Sequence, residues 1–159
     1  MPIPASVRGA NRVEAIEVTV RATAAVAVAA LDEKAQARNA PTDPAGLPFR
    51  EMLAATVRDV TREWGLASGR ALKLTIEVDE IATPGTAAAM FGRSDRLAGS
   101  VFITDAGSGE PLGQLYVDIV NSNPGLVGMA LRGSGVREAL ADEFALHIAR
   151  ALSGRRRQR

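Results

Sequence analysis

The chain has 159 residues, 47% of them hydrophobic and only 4% aromatic, enough for one globular domain with a core of Val, Leu, Ile and Ala. Its formal net charge of +1 hides a basic terminus, Arg155, Arg156, Arg157 and Arg159; setting these aside leaves 15 basic against 18 acidic residues. A mildly acidic body argues against a nucleic-acid footprint, the lack of cysteine excludes disulfides and thiolate metal sites, and no run approaches the ~18 apolar residues that span a bilayer.

Residues 1–12, with two prolines and a glycine, read as an extended segment without the charged and apolar regions of a signal peptide. A single domain is expected over 13–154, followed by a basic, disordered tail at 155–159. "VEAIEVTV" alternates, with Ile16, Val18 and Val20 on one face, which predicts a strand. The next stretch, 22–30, continues that alternation through Val26 and Val28, so a strand extension is expected there. "ALDEKAQARN" suits a short turn of helix, and "APTDPAG" reads as loop.

Phe49, Leu53, Val57, Val60 and Trp64 fall at helical spacing, with Gly65 placed to end the helix and Trp64 as a core-edge anchor. In "RALKLTIEVDEI", Leu72, Leu74, Ile76 and Val78 point inward and Lys73, Thr75, Glu77 and Asp79 face water. "LAGSVFITD" and "EPLGQLYVDIV" suit a hairpin through "AGSGE". A tip at residues 108–110 sets Ile103 opposite Leu115, Val101 opposite Val117 and Phe102 opposite Tyr116. Val136, Leu140, Phe144, Ile148 and Leu152 predict a final helix over 134–153, N-capped by Ser134 and closed by Gly154. The expected fold class is therefore α+β. It is a two-layer sandwich, a four-stranded, mostly antiparallel sheet with two helices packed on one face and a first strand joined through a crossover.

No catalytic set emerges. A Walker loop needs a Lys-Ser/Thr pair after its second glycine, and a dinucleotide loop needs G-x-G-x-x-G in a parallel unit; "LRGSGVRE" offers neither. His147, the single histidine, lies at the border of the last helix's apolar stripe as a hydrogen-bonded residue rather than a base. Glu77 and Asp79 face solvent, Asp142 and Glu143 sit together on the last helix, and Ser94 and Ser108 have no base in a recognisable motif. Neither a cofactor nor a metal is expected.

Two Gly-flanked apolar stretches stand out, "GTAAAMFG" and "NPGLVGMALRGSG". Met90, Phe91, Leu126, Val127, Met129 and Leu131 either pack into the end of the core or form an exposed lip that contacts a partner. A different reading uses the last helix's N-terminus as an anion site, with the backbone of Gly133 and Gly135 beside Arg132 and Arg137.

With the elements in place, "VEAIEVTV", "RALKLTIEVDEIATPG", "AGSVFITDAGSGEPLGQLYVDI" and "VREALADEFALHIARAL" together resemble small lipoproteins of unknown function from Gram-negative envelopes. More distantly they resemble the TolB N-terminal and curli-secretion lipoprotein domains. The resemblance implies a non-enzymatic, periplasmic or outer-membrane-associated domain tethered through a lipidated cysteine that this sequence does not contain. It implies action by binding a protein partner or by homo-oligomerisation. The cysteine count by itself fits the cytoplasm as well.

Overall fold

Strict alternation makes β2 (Arg70–Ala82) the spine of the sheet, with Leu72, Leu74, Ile76 and Val78 wholly buried and their neighbours half-exposed. The computed structural model describes residues 3–38, 46–82, 95–121 and 136–154. Their elements run β1 (Asn11–Val20), α1 (Ala22–Arg38), α2 (Phe49–Glu63), β2, β3 (Asp95–Asp105), β4 (Pro111–Asn121) and α3 (Val136–Ser153). The strands stand in the order β1-β2-β3-β4.

The sheet is mixed rather than mostly antiparallel. β1 and β2 run parallel because the chain returns through α1 and α2, whereas β2/β3 and β3/β4 are antiparallel. Among the described residues there are three α-helices where two were expected to pack on the sheet. The expected strand extension at 22–30 is the first part of α1, an alanine-dominated helix in which propensity overrides the Val26/Val28 alternation. α1 buries only Ala24 and Val28, four residues apart, and leaves Val26 82% exposed.

α2 buries Phe49, Met52, Leu53, Val57 and Val60 on one stripe. Its first N–H lacks a local cap, since Pro48 precedes it, and is instead accepted by Asp32 of α1, Phe49 N to Oδ1 at 2.8 Å. Gly65, at φ 77°, ends the helix in the left-handed conformation only glycine adopts freely. Half-buried Trp64 lies under the Arg150 guanidinium, 5.9 Å from the ring centroid, at the core edge as expected.

α3 seals the core with Leu140, Phe144, Ile148 and Leu152, while Ala141, Ala145 and Ala149 on the same side let α2 approach closely. His147 is exposed rather than at the stripe's border. The segment before β1 contributes too: Ile3 and Val7 are buried, and the Asn11 amide donates to the Val7 carbonyl.

The hairpin keeps the expected inward set but slips by two residues. Val101 pairs with Leu115 and Ile103 with Gly113, so Phe102 lies opposite Gln114 and Tyr116 opposite Ser100. The cause is the turn, which spans 106–109. Asp105 Oδ1 accepts from both Gly107 N and Ser108 N at 2.9 Å, Asp105 N donates to the Glu110 carbonyl, and a bulge follows beyond Ile103.

Arg70 and those N–H groups hold the Asp105 carboxyl down to about 2 from an ordinary 3.8. A depressed folded pKa gives stability that is present above the ordinary value and lost as pH falls through the folded one. Asp105→Asn is therefore expected to flatten the fall in thermal midpoint between pH 3.8 and about 2. An acid limb as steep as the wild type's would contradict it.

Candidate functional site

The two Gly-flanked stretches leave from neighbouring strands at one end of the sheet. Residues 83–94 join β2 to β3 and residues 122–135 join β4 to α3, and their roots are paired: Ala82 with Arg96, and Asp95 with Asn121. Met90, Phe91, Leu126, Val127, Met129, Leu131, Arg132, Gly133 and Gly135 themselves lie outside the described residues. Their roots belong together only through the antiparallel pairing of β3 with both neighbours. The α1 N-terminus is tied to the same end, Arg21 N donating to the Val78 carbonyl and Thr23 Oγ1 to the Asp79 carbonyl at 2.7 Å.

Below these roots the sheet face not used by the core carries a laced set of charges. Arg96 bridges Glu80 on β2, at 3.0 Å, and Asp118 on β4, whose carboxylate it grips through Nε and Nη2 at 3.0 and 2.9 Å. Arg21 pairs with Glu77 and with Asp79. The two-pronged grip lowers the Asp118 pKa and raises that of Arg96. Exposed pairs of this kind contribute little to stability, but they fix a charge pattern beside two bare apolar side chains, Tyr116 (55% exposed) and Val120 (60%).

Arg137, the one described member of the anion-binding set, is turned inward. Its side chain is 5% exposed; it pairs with Asp32 at 3.3 Å and Glu138 at 2.9 Å and donates to the Leu47 carbonyl at 2.7 Å. The guanidinium thus fastens the first turn of α3 to α1 and to the residue before Pro48.

The acidic residues of α3 meet those of α2. Asp142, Asp59 and Glu63, with Thr56, Val60 and Leu146, line an open groove of about 460 Å³. Partial burial, then Glu138, Glu143 and Glu63, push the Asp142 carboxyl upward. Among the described residues no group of three or more His, Cys, Asp or Glu is arranged to hold a metal ion, and no helix is long and apolar enough to cross a membrane.

This is an α+β domain in which a mixed four-stranded sheet presents paired loop roots at one end. The same fold occurs in PelC from Paraburkholderia phytofirmans, a dodecamer seen in two crystal forms. In one the TM-score is 0.53 at 14% identity and in the other 0.53 at 13%, with 98% of this chain and 96% of that chain covered in both. It occurs also in protein XCC0632 from Xanthomonas campestris, family DUF330, at a TM-score of 0.59 and 11% identity, covering 96% of this chain and 91% of that one. The likeness is one of fold, and it is to these proteins rather than to the TolB N-terminal domain specifically. No family model and no curated protein matches the sequence.

Proposed function

We propose that the chain is a non-enzymatic, envelope-associated binding domain that acts by contact with a protein partner or with copies of itself, through the loop-bearing end of its sheet. The reading takes the body as two layers, α2 and α3 over one sheet face, with the other face open. The observation that carries it is the pairing of the roots, Ala82 with Arg96 and Asp95 with Asn121, from which the two Gly-flanked apolar stretches depart at one end of the sheet. Exposed Val120, one residue from the root of the second stretch, extends the apolar character onto the sheet. The dodecameric state of PelC, which shares the fold, supports self-assembly as a mode of action. Placement in the periplasm or at the outer membrane, with a lipid anchor, belongs to the same proposal.

Leu126→Asp combined with Met129→Asp is expected to abolish oligomerisation or partner capture while moving the thermal midpoint by no more than about 2 °C, the shift of a surface substitution. Sedimentation and differential scanning calorimetry on the same samples read both. A drop of ten degrees or more would show those side chains to be core and sink the lip.

A further inference from the structure

The two edges of the sheet are built differently. β1, the first edge, carries Arg12, Glu14 and Glu17 and is broken by a register shift at Glu14. These are devices that discourage another strand from adding. β4, the opposite edge, is 11 residues long, pairs only with β3 among the described residues, and has a single charged side chain, Asp118. Beyond the bulge near its start, its register with β3 runs unbroken from Gly113 to Asn121. It also bears Tyr116 and Val120, two of the three large apolar side chains that the described surface leaves exposed. A long, sparsely charged edge with an unbroken register is a template for strand addition.

We infer that β4 pairs antiparallel with β4 of a second copy about a two-fold axis at Tyr116, making one continuous sheet across the dimer. The strand's own sequence selects this occupant and this register. Tyr116 is the central residue of Pro111–Asn121, and an axis there opposes residues 113–119, all inside the unbroken run. Asp118 then faces the partner's Gln114, an acceptor against an amide donor, twice per dimer, and no two like charges are opposed. Leu115 faces the partner's Val117 on the helix-covered side, and the two Tyr116 rings meet on the open side. Moving the axis to residue 118 would set Asp118 against itself, so charge disfavours that neighbouring register of the same facing. This inference concerns only the self-association part of the proposed function and does not need the apolar loops to be exposed.

The cysteine-free chain makes the geometry testable directly. Residues facing each other across antiparallel strands lie about 4.5–5.5 Å apart at Cα, within disulfide reach. Tyr116→Cys is expected to yield a covalent dimer under mild oxidation, whereas Thr75→Cys, on the same sheet face but on an interior strand, stays monomeric. In sedimentation equilibrium Gln114→Lys should lower the dimer dissociation constant about tenfold and Gln114→Asp raise it about tenfold, from two cross-strand charge pairs. Shifts of the same sign in both, or no cross-link at position 116 in a folded protein, would overturn the proposal. Loss of association in the Leu126→Asp, Met129→Asp variant with both Gln114 variants unaffected would sustain the loop reading and refute β4 pairing. Opposite shifts at Gln114 with the loop variant still dimeric would do the reverse.

Discussion

Asp32→Ala is expected to lower folding stability by about 3 kcal/mol, because one carboxylate serves two ends of the fold. Its Oδ1 caps the first N–H of α2 and also pairs with Arg137, whose side chain is 95% removed from solvent. Removing it takes one charged partner from a buried guanidinium that still holds Glu138 and the Leu47 carbonyl, and it takes the Asp32 acceptor from the Phe49 N–H. The figure sits at the low end of the range for breaking a buried pair because those two contacts persist. For a chain of this length it corresponds to a midpoint lower by about 6–12 °C. Asp32→Asn, which can still cap but carries no charge, should lose about half as much. Arg137→Met, which removes the buried charge together with its need for a partner, should lose less than Asp32→Ala despite deleting more hydrogen bonds. A stability order with Arg137→Met the worst of the three would show that the guanidinium's own bonds, not its burial, dominate. The experiment also bears on anion binding, since an Arg137 used in this way should change stability equally with and without phosphate.

How much of this could be read in advance depended on whether the information was local. β2 announced itself through the alternation from Leu72 to Val78, and α2 and α3 through apolar stripes with a glycine just past each end. α1 did so only in its second half, where "ALDEKAQAR" suited a helix; the first half, 22–30, is alanine and valine nearly throughout and offers no phase. Its burial comes down to Ala24 and Val28, and period-two and period-3.6 templates both fit such a run. The hairpin's existence was legible but its register was not, for the turn is set by the Asp105 side chain bonding two backbone N–H groups. The candidate site divides in the same way. Glycines and bare apolar side chains marked the two stretches, yet the common end from which they depart follows only from strand pairing. Arg137 read as a cation at a helix start; its partners Asp32 and Leu47 lie 105 and 90 residues away in sequence, beyond any local pattern. The Arg96 bridge was nearer to reach, since alternation puts Asp118 on the open face, but Glu80 falls on the wrong parity and hid it.

That parity error identifies the second large effect, at Gly99. Along β2 the inward set Leu72, Leu74, Ile76, Val78 would continue to Glu80, but a register shift between Val78 and Glu80 turns Asp79 and Glu80 both outward and restores burial at Ile81. The bulge brings the β2 backbone against β3 at Gly99, where an added Cβ would stand 2.6 Å from the Glu77 carbonyl oxygen and 3.3 Å from Val78 Cα. Both are backbone atoms, and β3 is held by β4 on its other side, so neither strand can yield without breaking its ladder. Gly99→Ala is accordingly expected to cost about 2–4 kcal/mol, a midpoint lower by about 5–15 °C, although its own backbone dihedrals suit any residue. Gly109→Asn provides the contrast: φ is +74° there but nothing lies within 4 Å of the added carbon, and asparagine tolerates that conformation, so the loss should stay below about 1 kcal/mol. If the two variants melt together, close approach is not what excludes a side chain at position 99. If Gly99→Ala alone falls, the bulge that sends Glu80 to Arg96 depends on that single missing methyl. The charge pattern beneath the loop roots then rests on it as well.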